Sequence, residues 1–215
     1  MNGREFNFRL NHPSCIYICG PSKSGKSTLT REILLRHEEV FDSPINEIIY
    51  CYGTPQEKYF AQLGRDIPKI TFNPGLPEEF GDETCTPKLY ILDDLLQECS
   101  KSPNVLNAFI REAHHKNISV ILISQVFFYP GLRSLTLNCH YICLFKNPRE
   151  MQVVRTLGMQ MTGKKNSCLE EGFRDACSKP HGYIFIDLSQ AQDDDCRIRN
   201  NLFADNGCKI YMNKK

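Results

Sequence analysis

Short apolar runs alternate with stretches of helical spacing along most of the chain. The runs 15–19, 46–52, 88–92, 118–124, 140–145 and 182–188 are rich in isoleucine, tyrosine and other strand formers, and are read as strands. Between them, apolar positions recur with helical spacing over 26–40, 55–64, 95–100, 103–115, 148–161 and 167–178. Val120-Ile121-Leu122-Ile123 is apolar at every position, so that strand needs cover on both faces. Strands alternating with helices build an α/β fold, with a mostly parallel central sheet flanked by helices. Residues 66–87, rich in proline, glycine and acidic side chains, are expected as an irregular surface excursion. The polar composition from Gln190 through Asp193-Asp194-Asp195 to Lys214-Lys215 predicts a C-terminal extension or arm over 190–215. Residues 1–189 are then one domain, with a lead-in of about 13 residues.

Composition narrows this picture only slightly. The chain has 215 residues, 41% hydrophobic and 24% charged, as in an ordinary globular domain. No apolar run approaches the ~20 residues of a membrane span, and the polar start Met1-Asn2-Gly3-Arg4-Glu5-Phe6 lacks the apolar core of a secretion signal. A cytoplasmic or nuclear location is therefore expected, and secretion is not. The 11 cysteines form no C-x-x-C pair and lie mostly in apolar runs, so they are read as buried thiols rather than disulfides or zinc ligands. His114 and His115 are adjacent and point apart on a helix, which suits a helix C-terminus better than a metal clamp. A net charge of +1 announces no polyanionic partner. Locally, Lys146, Arg149, Arg155, Lys164 and Lys165 face only Glu150, which is either a solvated face or a surface for a phosphate backbone.

The sharpest chemistry lies at residues 20–27, Gly-Pro-Ser-Lys-Ser-Gly-Lys-Ser, which fit the phosphate-binding pattern G-x-x-x-x-G-K-[ST]. A strand-like run precedes it and a helical one follows. Gly20 and Gly25 let the backbone curl so that the N–H groups of Pro21's successors, Ser22, Lys23 and Ser24, can face phosphate oxygens. The start of the next helix, Lys26, Ser27 and Thr28, adds its dipole. Lys26 can reach the β- and γ-phosphates, and the Ser27 hydroxyl can ligate Mg²⁺.

A second element completes this site. Leu89-Tyr90-Ile91-Leu92-Asp93-Asp94 is an apolar strand ending in two carboxylates. Asp93 is placed to hold the Mg²⁺ shell, and Asp94 to deprotonate a water, though glutamate is the commoner base there. Gln125, after the run 118–124, is expected where a γ-phosphate would lie. The run 46–52 falls between the phosphate-loop strand and the Asp93 strand in sequence, and is expected between them in the sheet. That insertion, with no D-x-x-G and no N-K-x-D, points to ATP rather than GTP.

Together these blocks resemble the FtsK/HerA superfamily, in the branch of poxvirus-type genome-packaging ATPases. The resemblance rests on Gly20 to Ser27, Leu92-Asp93-Asp94 and His114-His115-Lys116-Asn117-Ile118-Ser119 running into Gln125. It extends to Tyr141-Ile142-Cys143-Leu144-Phe145-Lys146-Asn147-Pro148-Arg149-Glu150, and to Ile186-Asp187-Leu188 followed by Arg197-Ile198-Arg199-Asn200-Asn201-Leu202-Phe203. It implies a P-loop fold of the ASCE type, ATP hydrolysis with Mg²⁺, and a pentameric or hexameric ring of identical subunits. It also implies movement of double-stranded DNA into a preformed capsid, with a capsid vertex or portal component as partner, at the virion assembling in the host cytoplasm or nucleus. Lys26, Asp94 and Gln125 take catalytic roles under the resemblance, and Ser27 and Asp93 hold the metal. An arginine finger comes from a neighbouring subunit, with Arg111 and Arg133 as candidates. Another DNA translocase or helicase of the superfamily, or an assembly scaffold that hydrolyses little, are the competing readings. Phe127-Phe128-Tyr129 is a rival DNA-facing element, although core or subunit packing suits at least two of these aromatics.

Overall fold

The computed structural model describes residues 9–149, 151–163, 167–203 and 207–212. Six parallel strands make the centre of the sheet: β1 (Cys15–Cys19), β2 (Glu47–Tyr52), β3 (Ile70–Pro74), β4 (Lys88–Asp93), β5 (Ile118–Ser124) and β6 (Tyr141–Phe145). Three antiparallel strands extend one edge: β7 (Tyr183–Asp187), β8 (Ile198–Arg199) and β9 (Ile210–Tyr211). The spatial order is β3-β2-β4-β5-β1-β6-β7-β8-β9. The α/β class with a mostly parallel sheet is therefore as the periodicity predicts.

One detail of that prediction is corrected. A strand does separate the phosphate-loop strand β1 from the Asp93 strand β4, but it is β5 and not residues 46–52. β2 lies on the far side of β4, next to β3. Sequence order misplaced it because parallel crossovers carry the chain over intervening positions, so consecutive strands need not be neighbours.

Helices cover both faces. On one, α1 (Lys26–Leu35), the short α2 (His37–Val40) and α3 (Glu57–Asp66) pack Leu29, Ile33, Leu34 and Leu63 onto Ile16, Ile18, Ile48, Ile91 and Ile121. The helix expected over 26–40 breaks at Arg36, where φ is −107° and ψ is 21°. On the other face lie α4 (Leu96–Lys101), α5 (Pro103–Asn107), a π-helical segment (Ala108–Glu112), α6 (Ala113–His115), α7 (Arg133–Leu137), α8 (Met151–Thr162) and α9 (Ser167–Ala176). They bury Val105, Phe109, Leu135, Val154, Leu169 and Phe173 against Tyr17, Val120, Leu122 and Ile142. β1, β5 and β6 are buried at every position, as double cover requires. Eight cysteines are buried in these layers and all 11 are free thiols.

Two other expectations change. The excursion 66–87 contains β3, a half-buried edge strand whose Phe72 stacks on Phe60 at 4.7 Å. The stretch expected as an arm contributes β8 and β9, and buries Cys196, Ile198, Arg199, Leu202 and Phe203. Arg199 is 2% exposed, pairs with Asp187 at 3.6 Å and lies over the Phe185 ring at 4.4 Å. A charged residue buried in this way is invisible to a composition reading.

Candidate nucleotide site

The carboxyl ends of β1, β4 and β5 meet at one edge of the sheet. Register fixes this, because Asp93 pairs with Ile123 of β5, and Ile123 pairs with Ile18 of β1. The loop 20–27 leaves β1 there and enters α1. Its backbone is left-handed at Lys23 (φ 63°) and at Gly25 (φ 113°), which caps α1. Such reversals turn successive N–H groups to one side and make a concavity suited to an anion. Gly20 is needed for close approach, since a Cβ there would stand 2.5 Å from Phe145 Cβ. Pro21, Ser24 and Gly25 are half-buried, whereas Ser22, Lys23, Ser27 and Thr28 are exposed on the open side of the turn.

Lys26 folds over its own loop. Its ammonium donates to the Gly20 carbonyl at 2.7 Å and the Pro21 carbonyl at 2.9 Å. Burial lowers its pKa from the ordinary lysine value, with Asp93 opposing. Phosphate oxygens are stronger partners for an ammonium than amide carbonyls. The Ser24 hydroxyl is buried with no hydrogen-bond partner. An unsatisfied buried donor is costly, and an anion seated in the loop would supply its acceptor.

Asp93 is 9% exposed, at the end of β4. The Tyr50 hydroxyl donates to its Oδ2 at 2.8 Å. Burial raises the Asp93 pKa, and the Tyr50 hydrogen bond holds it down. The same burial, with Asp93 alongside, raises the Tyr50 pKa strongly, so Tyr50 is a fixed donor. Tyr59, its pKa pushed up to about 12 by burial, donates to the Ser27 carbonyl at 3.1 Å and ties α3 to the loop. Asp94 is exposed and left-handed (φ 57°), with its Oδ2 accepting from Thr54 Oγ1 at 2.6 Å. Gly53 makes this turn possible: its N–H donates to the Asp93 carbonyl at 3.0 Å, and a Cβ would fall 2.1 Å from the Asp94 carbonyl oxygen. Gln125 is exposed and reaches the loop, with Ser22 Oγ donating to its Oε1 at 3.2 Å.

Lys26, Ser27, Asp93, Asp94 and Gln125 thus share one edge. Sequence reasoning missed Tyr50, Gly53 and Thr54, whose meaning depends on the pairing of β2 with β4. Ser27 and Asp93 are hard oxygen donors of the kind Mg²⁺ takes alongside phosphate oxygens. Among the described residues no group of three histidine, cysteine or carboxylate side chains forms a metal cage, and a site completed by phosphates needs none.

The two arginines stand apart from this cluster. Arg111 is exposed on the π-helical segment leading into β5, at the opposite edge of the sheet. Arg133 is exposed at the start of α7 and lines an apolar cavity of about 380 Å³ with Phe127, Phe128 and Tyr129. Of those aromatics, Phe127 is 1% exposed against Tyr17, whereas Phe128 is 49% exposed. In the basic run, Arg155 lies 3.6 Å from the buried Glu170, and Lys146 and Arg149 are exposed. Glu150, Lys164 and Lys165 lie outside the described residues. Among the described residues no helix is long and apolar enough to cross a membrane.

The fold and this edge define a P-loop α/β architecture. The sequence matches no protein-family model and no curated protein. Among solved structures, the chain is similar to the genome packaging NTPase B204 from Sulfolobus turreted icosahedral virus 2, at 14% identity and TM-score 0.51 over 97% of this chain and 98% of that one. It is similar also to EssC (ATPases 2 and 3) from Geobacillus thermodenitrificans, at 13% identity and TM-score 0.54 over 93% of this chain and 40% of that one. The cytoplasmic domain of the type VII secretion ATPase EccC from Thermomonospora curvata gives 11% identity and TM-score 0.55, over 92% and 25%. At such identities the likeness establishes the fold.

Proposed function

We propose that the chain is an ATP-hydrolysing motor subunit that moves double-stranded DNA, and that its task is loading a viral genome into a preformed capsid. The observation that carries this reading is the convergence of Lys26, Asp93 and Gln125 at one sheet edge around a loop built for phosphate. Lys26 exchanges its loop carbonyls for β- and γ-phosphate oxygens and follows the charge that develops on them. Ser27 and Asp93 would hold Mg²⁺, which would supply neutralisation of phosphate charge. Asp94, oriented by Thr54, takes the proton of the attacking water as that water's oxygen bonds to the γ-phosphorus and the bond to ADP breaks. Gln125 touches the loop through Ser22, so loss of the γ-phosphate alters its partners and reports to the rest of β5.

A ring of five or six copies would complete each site with an arginine from its neighbour, Arg111 or Arg133. Such fingers raise turnover by ~10³–10⁵. DNA contacts would fall on phosphates, since packaging accepts any sequence. Lys146 and Arg149 follow β6 on the nucleotide edge and suit that role, with Lys164 and Lys165. The capsid vertex or portal would be the fixed partner, inside the infected host cell. End-to-end coverage of the viral packaging NTPase supports this reading over the second one, another translocase of the FtsK/HerA type. The secretion ATPases keep that second reading in play, although the chain spans under half of each.

Third-strand displacement from a linear duplex tests the proposal. Displacement that requires ATP and disappears in Lys26→Ala is expected. ATP hydrolysis with no displacement at any protein concentration would overturn translocation.

A further inference from the structure

Two tyrosines lie between the first turn of α1 and the end of β4. Tyr50 comes from β2 and Tyr59 from α3. Alternation along paired strands explains the first. Tyr50 stands opposite Ile91, and Asp93 is two residues further along β4, so both side chains project from one face of the sheet. A tyrosine is long enough to span that diagonal, and its hydroxyl donates to Asp93 Oδ2 at 2.8 Å. Helix packing explains the second. α3 turns Tyr59, Phe60 and Leu63 toward the sheet. The Tyr59 ring meets Tyr50 edge-on, with centroids 6.2 Å apart and planes at 73°. Its hydroxyl donates to the Ser27 carbonyl at 3.1 Å.

The two hydroxyls also interact with each other. Each carries one hydrogen. Tyr50 commits its own to a carboxylate, the stronger acceptor, so in the contact between the pair Tyr59 is the donor. Tyr59 thus shares one hydrogen between the Ser27 carbonyl and the Tyr50 oxygen. A hydroxyl that accepts while it donates is polarised and donates more strongly. The result is a bridge from the Ser27 backbone, through two phenols, to the Asp93 carboxylate. Tyr50 is fully buried and Tyr59 half-buried, so water competes little for the inner part of that bridge. At its far end α3 is anchored to α1, where Arg31 Nη2 lies 2.7 Å from Asp66 Oδ2. Ser27 and Asp93 otherwise come from elements that do not pair, because β5 separates β1 from β4.

We infer that Tyr59 is a positioning residue for the metal centre, which with Tyr50 holds Ser27 and Asp93 at a set spacing before a divalent cation arrives. The inference rests on the reading of Ser27 and Asp93 as metal ligands, and extends it to the residues that fix their separation. Mg²⁺ demands near-octahedral geometry with oxygens at about 2.0–2.1 Å, so misplaced donors cost affinity. Donors held in place beforehand lose less freedom when the ion binds. Tyr59 acts through its two partners rather than by touching the ion. It also makes α3 part of the site, since a displacement of that helix moves both donors.

Mn²⁺ takes the same oxygen ligands and reports on them without turnover. The test is an electron paramagnetic resonance titration of Mn²⁺ into the whole chain loaded with β,γ-imido-ATP. Binding of the same analogue without metal is measured beside it. Tyr59→Phe removes the hydroxyl and keeps the ring against Tyr50 and Phe60, at 6.2 and 6.0 Å. Asp66→Ala is the control: it breaks the ion pair between α1 and α3, about one-third exposed on each side, and leaves the tyrosines in place. Tyr59→Phe is expected to weaken Mn²⁺ roughly 2- to 10-fold, as loss of one neutral hydrogen bond would, and to leave metal-free analogue binding unchanged. Asp66→Ala is expected to take Mn²⁺ as wild type does. Tyr50→Phe weakens Mn²⁺ as well, and the double variant loses less than the product of the two effects, because either change cuts the same bridge. The inference is overturned if Tyr59→Phe matches wild type, if it weakens the metal-free analogue equally, if Asp66→Ala weakens Mn²⁺ as much, or if the two tyrosine effects simply multiply. Wild type that binds the analogue and takes up no Mn²⁺ with it would instead sink the metal-ligand reading underneath.

Discussion

Tyr50→Phe isolates the hydrogen bond that makes Asp93 usable. The Tyr50 ring is fully buried among Tyr59, Phe60 and Phe72, with centroids at 6.2, 5.4 and 6.0 Å, so phenylalanine keeps the packing. The 2.8 Å bond to Asp93 Oδ2 is lost, together with the hydroxyl's interaction with Tyr59. Burial raises the folded-state pKa of Asp93 above its unfolded value, and the bond partly offsets this. Between those two values the folded chain holds more protons than the unfolded one, so this group's contribution to stability falls as pH rises through the window. Removing the bond raises the folded pKa further. It extends the window upward and deepens the loss at neutral pH. A hydrogen bond to a charged group contributes about 1.5–3 kcal/mol, and one to a neutral group about 0.5–1.5 kcal/mol. For a chain of this length that is a fall in Tm of roughly 3–12 °C at pH 7.5, shrinking to about half or less near pH 4. Thermal unfolding of both proteins at the two pH values, without nucleotide, reads this directly. An equal fall at both would mean that the tyrosine acts by packing alone, and a fall under about 1 °C at pH 7.5 would refute the coupling.

Other outcomes follow from the same geometry. Gly53→Ala places a methyl group on the Asp94 carbonyl oxygen, so ATP turnover should fall at least tenfold while ATP binding changes little; unchanged turnover would show that Asp94 need not hold its left-handed turn. Thr54→Val frees the Asp94 carboxylate and should lower kcat by ~10-fold or more without altering KM, checked by steady-state kinetics. Truncation after Gln192 removes Ile198, Leu202 and Phe203, each contributing about 1.5–3 kcal/mol of burial; circular dichroism should show a chain largely unfolded at 37 °C, whereas a dispensable arm would leave Tm unmoved. Arg111→Ala and Arg133→Ala should be compared in ATPase rate against protein concentration: the finger variant stays at the dilute rate, and the other rises with assembly as wild type does.

The layered fold was legible because both-face burial leaves continuous apolar runs, and five of the six predicted strands are parallel members flanked by helices. β3 was not, since Ile70-Thr71-Phe72-Asn73-Pro74 is a half-buried edge strand bracketed by prolines and reads as loop. β8 and β9 are two residues each and carry Arg199, whose burial depends on Asp187 and Phe185 arriving from β7. That the loop 20–27, Asp93 and Gln125 belong together was legible from local spacing alone, and they do meet at one sheet edge. Their supports were not. Tyr50, Gly53 and Thr54 lie around 40 residues before the aspartates they hold, and only the β2–β4 register joins them. His181 reaches the loop from more than 150 residues away in sequence, from just before β7 on the antiparallel edge of the sheet. Motifs announce the candidate site groups, whereas the groups that hold them in place are chosen by topology.

Phosphate release from ATP, with and without linear duplex DNA, tests the central claim most directly when wild type is run beside Lys26→Ala and Asp93→Ala. The account predicts Mg²⁺-dependent release that duplex accelerates in wild type, and release near background in both variants whatever DNA is added. Wild-type activity that survives either substitution would contradict it.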